Sequence, residues 1–214
     1  MINNTSIPLP SSPSGERDGL RQFLLAQRRA LSVAERHAAA LAVAQRLAME
    51  PGFTEAAAIA GYWACQGELD PAPLLERAWT EDKTVYLPVL AGDTLLFAPY
   101  QPDDPLRRNR FNIPEPEVPL ADLRLPSDMD WVLTPLVAFD AMGTRLGMGG
   151  GFYDRSFAFL LEPGWQGHHP QLLGLGYAFQ RVEALIRQPW DVPLDAAVTE
   201  EALYLFAKNQ VREP

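Results

Sequence analysis

The sequence predicts a single α/β domain, a three-layer α/β/α sandwich around a mostly parallel sheet. Three observations lead to that class. At 214 residues with 47% hydrophobic side chains, the chain can bury one sizeable core and is short for two ordinary enzyme domains. Beyond two helical stretches near its start, short apolar runs bounded by turn residues alternate with segments of helical spacing, as in a sheet covered on both faces. No run of about 18 apolar residues occurs, so a membrane-spanning helix is not expected.

Residues 1–15 are rich in Ser, Pro and Asn and lack the basic-then-apolar order of a secretory signal, so a disordered leader is expected there and one domain over 16–214. Glu16 to Leu31 sets Leu20, Phe23, Leu24, Gln27 and Leu31 in a mostly apolar stripe at helical spacing. Ser32 and Glu35 have the spacing of a capping box, and the alanine-rich run to Met49 favours helix until Pro51 and Gly52 stop it. Strand candidates follow at Ala57 to Trp63, Thr84 to Leu90, Leu95 to Tyr100, Trp131 to Ala138, Leu172 to Ala178 and Ala196 to Thr199. Helical spacing recurs at Pro71 to Thr80, Phe152 to Leu161 and Gln180 to Leu185. Pro102 to Pro126, rich in proline and charge and too long for a tight turn, reads as a loop that folds over a site.

Eighteen Lys and Arg against 27 Asp and Glu give a net charge of -9, a field that repels phosphate polymers and anionic lipid. Nucleic acid and membrane are therefore not expected as partners. A small anionic ligand stays compatible, because a few convergent arginines and backbone N–H groups reverse the potential inside one cleft. The single cysteine, Cys65, rules out an intramolecular disulfide and fits a reducing cytoplasm; it reads as a buried structural thiol, since nothing nearby in sequence would lower its pKa.

The most informative segment runs from Phe139 to Arg155, after the strongest strand candidate and before a helix. Gly147, Gly149, Gly150 and Gly151 let main-chain N–H groups come close to a ligand, which is how phosphate is cradled. Arg145 offers a planar fork of donors suited to phosphate oxygens, and Asp154 a carboxylate able to hold Mg²⁺ beside them. The segment is neither the P-loop nor the Gly-x-Gly-x-x-Gly of dinucleotide binders, where Phe152 would occupy the last glycine position.

Arg145-Leu-Gly-Met-Gly-Gly-Gly-Phe-Tyr-Asp154 resembles the signature of the 5-formyltetrahydrofolate cyclo-ligase family. So do Arg17-x-x-Leu-Arg21, Gly67-Glu-Leu-Asp70, Val85-Tyr-Leu-Pro-Val89, Asn112-Ile-Pro-Glu-Pro116, Leu133 through Asp140 and Trp190-Asp-Val-Pro-Leu-Asp195, in family order from about Arg17 to Glu200. The resemblance implies an α/β/α sandwich and an ATP site at Arg145, Leu146, Gly147, Met148, Gly149, Gly150, Gly151, Phe152 and Tyr153 with Arg17 and Arg21. It implies Mg²⁺ on Asp154 and Asp191, and folate recognition by Glu68. Family members commonly carry lysine where this chain has Arg17, which keeps the charge and changes its shape.

The implied reaction is ATP-dependent closure of 5-formyltetrahydrofolate, with or without a polyglutamate tail, to 5,10-methenyltetrahydrofolate through a phosphorylated imidate. No protein nucleophile is needed, so alignment and charge stabilisation carry the rate, with Arg145 on the transferred phosphoryl group. Glu68 suits two N–H donors of the pterin edge, and Trp63 with Tyr62 suits an aromatic wall, although strand-end aromatics pack into cores as often. Taken singly, Asp154, Asp191 and Glu68 would read as a helix-terminal, a turn and a loop acid. Two other classes stay open: another phosphoryl- or sugar-phosphate-handling enzyme on this architecture, and a folate-binding relative without turnover.

Overall fold

A computed structural model describes residues 13–206. The leader expected over 1–15 lies mostly outside them; helix α1 already begins at Pro13 and runs to Ala30. It is followed by α2 (Val33–Ala48), α3 (Pro51–Glu55), β1 (Ala58–Ala60), α4 (Ala72–Thr80), β2 (Thr84–Ala91) and β3 (Thr94–Pro99). A ribbon of β4 (Leu106–Arg108) and β5 (Pro114–Pro116) leads to β6 (Trp131–Pro135), then a second ribbon of β7 (Ala138–Phe139) and β8 (Arg145–Leu146). The chain ends in α5 (Phe152–Ser156), β9 (Gln171–Leu175), β10 (Ala196–Val198) and β11 (Leu203–Leu205).

Seven strands form the main sheet in the order β11-β10-β9-β6-β1-β2-β3. The five central strands are parallel, and β3 and β11 close the edges antiparallel. Side chains alternate strictly between faces. Ile59, Trp131, Leu133, Leu173, Leu175, Ala196 and Val198 meet α2, α3 and α4 on one face. Ala60, Val132, Leu172 and Ala197 meet Phe157, Val192 and Leu194 on the other. The mostly parallel α/β architecture is as expected, with unequal layers: the second face is covered by five-residue α5, the 3₁₀ turn Ala158–Leu161 and irregular chain.

The capping box closes as predicted, with Glu35 N donating to Ser32 Oγ at 3.2 Å and Ser32 N to Glu35 Oε2 at 2.7 Å. Other expectations change. On α1 the buried face is Leu24, Leu25 and Arg28, whereas Phe23 and Gln27 are exposed. The helix expected from Phe152 stops at Ser156, because fully buried Phe157 turns the chain at φ −107°, ψ 14°. Gln180 to Leu185 is not helical; a 3₁₀ turn covers Ala178–Gln180 and the rest is irregular. Pro102 to Pro126 is not one open loop, since it holds the β4–β5 ribbon and the turn Leu120–Asp122.

The parallel strands all deliver their C-terminal ends to one edge, where open α/β sheets place their ligands. The Glu68 loop leaves β1 there, the path to the glycine loop leaves β6, and Tyr177 follows β9. Helix α1 packs on this edge through Leu24 and Leu25 against Val137, Ala138 and Leu146.

Candidate functional site

The glycine loop begins where β8 ends. Gly149 and Gly151 adopt φ of +96° and +67°, a region costly for other residues, and a Cβ at Gly151 would lie 2.6 Å from Arg155 Nη1. Two arginines hold the loop by its carbonyl oxygens: Arg21 Nε donates to Gly147 O at 2.9 Å and Arg155 Nη2 to Gly150 O at 2.8 Å. Among the described residues, the N–H groups of Met148, Gly149, Gly150 and Gly151 donate to no protein acceptor. A row of uncommitted amides between cationic side chains suits phosphate oxygens.

Beside the loop sits a cluster of opposite charges. Arg145 is buried, donating from Nη1 to Val192 O and from Nη2 to Asp154 Oδ1 at 2.5 Å. Val192 N also donates to Asp154 Oδ1, at 3.1 Å. Burial lowers the Arg145 pKa, opposed by Asp154, Asp191 and Tyr153. Asp191 Oδ2 accepts from Arg17 Nη1 at 3.2 Å and Gln188 N at 2.9 Å. Thus Arg145, expected on a phosphoryl group, is directed at Asp154, and Arg17, expected on ATP, pairs with Asp191. Arg21 forms a further ion pair with Asp18.

At the other end, residues 65–68 make a turn closed by Glu68 N to Cys65 O at 3.0 Å, with positive φ at Gln66 (+50°) and Gly67 (+77°). The turn brings the buried Glu68 carboxylate back onto Cys65: Oε2 accepts from Cys65 N at 3.0 Å and from Sγ at 3.3 Å, while Oε1 lies 4.0 Å from Arg28 Nη2. Burial raises the Glu68 pKa, opposed by the Cys65 N–H, Arg28 and the thiol. Burial and the Glu68 charge push the Cys65 thiol up to about 11; the residue expected to be a buried structural thiol is only partly buried, because it sits in the exposed turn that leads from β1 to Glu68. A cleft of about 290 Å³ opens this end to solvent between α2 and the loop, lined by Arg36, His37, Ala64, Gly67, Glu68 and Asp70 among others.

Tyr153 feels the charges of both ends. Its ring stacks on Phe157 at 6.3 Å, and its phenol pKa is raised by burial and Glu68 and lowered by Arg145. Leu146 is a core residue packed on α1, so only its backbone is available to a ligand. Phe152 packs edge-on to Phe111 at 5.7 Å beneath Arg110 and Arg155, so the Pro102–Pro126 segment touches the end of the glycine loop. Tyr62 is buried and its hydroxyl donates to Leu69 O at 2.5 Å, which makes it core rather than wall. Trp63 is half-buried, edge-on to Tyr100 at 5.7 Å, with an indole Nε1 that finds no partner among the described residues. Arg28 escaped the sequence reading, although its place four residues after Leu24 and three after Leu25 puts it on the buried stripe of α1.

The mostly parallel seven-stranded sheet, with an arginine-bound glycine loop and a buried carboxylate at the C-terminal edge of its parallel strands, defines a single-domain α/β protein with its candidate site where open α/β sheets place ligands. Residues 13–200 match the family model described as the 5-formyltetrahydrofolate cyclo-ligase family. The 5-formyltetrahydrofolate cyclo-ligase of Escherichia coli K12 is 40% identical over 181 residues, covering 83% of this chain and 97% of that protein. That of Haemophilus influenzae is 38% identical over 182 residues, covering 84% and 95%. The NMR structure of Aquifex aeolicus 5,10-methenyltetrahydrofolate synthetase superposes with a TM-score of 0.76 at 31% identity, over 92% of this chain and 96% of that one. The chain belongs to the 5-formyltetrahydrofolate cyclo-ligase family and is an enzyme of that family, a ligase of folate one-carbon metabolism.

Proposed function

We propose that this enzyme uses ATP to close 5-formyltetrahydrofolate to 5,10-methenyltetrahydrofolate, releasing ADP and phosphate. One observation carries the reading: the uncommitted amides of Met148 to Gly151, bracketed by Arg21 and Arg155, share a sheet edge with the buried carboxylate of Glu68. A phosphate cradle and an acceptor for a planar pair of N–H donors are the two recognition elements that this reaction needs.

The formyl oxygen on N5 attacks the γ-phosphorus and ADP leaves, giving the phosphorylated imidate. N10 then attacks the formyl carbon and gives up its proton, and phosphate departs with the former formyl oxygen as the ring closes. In-line alignment of oxygen and phosphorus carries most of the rate. The loop amides hold the phosphates, with Arg21 fixing the loop through Gly147 O. Arg145 acts through Asp154, which it orients together with the Val192 amide. Glu68 fixes the pterin, and Tyr153 spans the gap between the two ligands.

Asp154 and Asp191 fit Mg²⁺ by donor chemistry: two hard carboxylates completed by phosphate oxygens and water are its usual set. Among the described residues no group of three or more His, Cys, Asp or Glu could hold a metal alone, so phosphate oxygens would have to complete the set. That ion would supply charge neutralisation between the β- and γ-phosphates. The net charge of -9 and the single cysteine support a cytoplasmic enzyme without nucleic-acid or membrane partners, and no helix among the described residues is long and apolar enough to cross a membrane.

Purified protein mixed with 5-formyltetrahydrofolate, ATP and Mg²⁺ should develop the absorbance of the methenyl product. No ATP-dependent product from folded protein would overturn the proposal.

A further inference from the structure

Arg28 stands on α1 two turns after Arg21, with its side chain wholly buried. A guanidinium taken out of water must find acceptors inside the protein, and its contacts here go to three different segments of the site. Nε donates to Gln66 O at 3.0 Å and Nη1 to Leu136 O at 3.3 Å. Nη2 lies 3.9 Å from Met148 Sδ and 4.0 Å from Glu68 Oε1.

Each contact falls at a point of control. Gln66 holds a φ of +50°, unfavourable for a residue with a side chain, and it stands two residues before Glu68. Leu136 follows β6 at the start of the path to the glycine loop, and Met148 lies within that loop. One rigid fork therefore ties the loop that carries the carboxylate to the loop that carries the amides. The tie is unsaturated, because no carboxylate oxygen meets Arg28 closer than 4.0 Å among the described residues.

We infer that Arg28 is a positioning residue through which folate at Glu68 and nucleotide at the glycine loop favour each other's binding. The inference rests on the assignments of Glu68 and the glycine loop made above. When donors from the pterin draw Glu68 away or toward the fork, the same guanidinium shifts its hold on Leu136 O and Met148. The coupling is reciprocal: whatever factor the nucleotide adds to folate affinity, folate adds to nucleotide affinity.

A pH signature follows from charge alone. Glu68 faces Arg28 from α1, the Cys65 thiol and amide from its own turn, the Tyr62 and Tyr153 phenols, and Arg36, His37 and Asp70 around the cleft. Of these, Arg28 is a cation that holds the Glu68 pKa down against burial. Without it the carboxylate would protonate at higher pH, and folate binding would fail earlier on acidification.

Calorimetric titration of 5-formyltetrahydrofolate between pH 5.5 and 8, with and without a non-hydrolysable ATP analogue and Mg²⁺, tests this on the wild type, Arg28→Lys and Arg28→Met. In the wild type the analogue should tighten folate about fivefold or more. Arg28→Lys keeps the charge but not the fork, so its acidic limb should stay in place while the tightening falls below about twofold. Arg28→Met should also move the acidic limb to higher pH; should it not fold, as a thermal melt would show, the lysine variant decides alone. Wild-type protein with no tightening, or Arg28→Lys with the full wild-type factor, overturns the inference. A lower melting temperature with coupling intact would likewise reduce Arg28 to a structural role. Glu68→Gln separates the two readings: unchanged folate affinity would remove the site assignment, whereas lost affinity beside intact coupling in Arg28→Lys would sink only this inference.

Discussion

Glu68 and Asp154 are both carboxylates beside an arginine, yet the two ends of the site hold them differently. Asp154 meets Arg145 at 2.5 Å and takes a second hydrogen bond from Val192 N, while part of its side chain remains open to solvent. Glu68 is more deeply buried, its arginine stays at 4.0 Å, and its nearer partners are an amide and a thiol of its own turn. The first is a finished ion pair. The second is a desolvated acid short of donors, and burial raises its pKa as a result. A ligand that brings two N–H groups would relieve that deficit, whereas at Asp154 two donors already meet one oxygen, Oδ1. Under the proposed function, the contrast suits the Glu68 loop to recognition and the Asp154 end to charge placement.

Breaking the finished pair should have the largest effect. Arg145→Ala removes the donor that orients Asp154 and leaves a partly buried carboxylate without its cation. Turnover should fall about 100- to 1,000-fold while folate affinity stays within about threefold, as measured by steady-state kinetics and calorimetry. Unchanged turnover with weaker folate binding would move Arg145 to the anionic tail of the folate.

Altering the unfinished acid comes next. Glu68→Gln offers one acceptor and a donor where two acceptors stood, and folate affinity should drop roughly 30- to 800-fold with the ATP analogue bound nearly as before. Wild-type affinity should decline as pH falls through the raised Glu68 pKa, and the amide variant should lack that limb. Stability should move the opposite way. Folding raises the Glu68 pKa, so its contribution is fully present below the unfolded value and is lost as pH rises through the folded one. Glu68→Gln should therefore melt higher than wild type at pH 8, with the advantage fading below about pH 4. Equal melting temperatures at both pH values would show that the acid carries no desolvation cost.

The two ends also differ in how far the sequence disclosed them. Glycines and Arg145 advertise the glycine loop, because backbone freedom and anion-binding donors are written in residue type. The central strands were equally plain, since strands buried on both faces read as short apolar runs. Edge strand β11 was not: Leu203, Tyr204 and Leu205 are only partly buried or exposed, and their pattern is weak. Leu185 lent apolar weight to a helix that the chain does not form; its amide instead donates to Asp140 Oδ2 at 3.0 Å. Arg28 was hidden for a different reason. A helical arginine is solvated unless loops remote in sequence supply its acceptors, and Gln66, Leu136 and Met148 come from three separate segments. The Cys65 contact depended on a turn geometry set by positive φ at Gln66 and Gly67.

A smaller effect is expected at the charge-placing end when the carboxylate is changed rather than its arginine. Asp154→Asn keeps the size and the hydrogen bonds from Arg145 and Val192 N, but it takes away the charge that suits Mg²⁺. The Mg²⁺ concentration for half-maximal activity should rise about tenfold. Magnesium titrations that superimpose at equal maximal rates would remove Asp154 from the metal site.

The smallest change bears on Cys65, whose thiol and amide both donate to the same oxygen of Glu68. Cys65→Ala leaves the 3.0 Å amide bond and deletes the 3.3 Å thiol contact, so the carboxylate keeps its place and loses one weak donor. Folate affinity should fall only about three- to fivefold, the worth of a modest hydrogen bond, and the ATP analogue should bind unchanged. With one donor fewer, the Glu68 pKa should rise further and the acidic limb of folate binding should move to higher pH in the alanine variant. The thiol itself, held near pKa 11, should react slowly with iodoacetamide at pH 7.5 compared with a free thiol. Bound folate, by drawing charge from Glu68, should not slow that reaction through electrostatics; any protection it gives would come from steric cover. A Cys65→Ala enzyme with wild-type affinity and an unmoved acidic limb would leave the amide as the only positioning contact that Cys65 makes to Glu68.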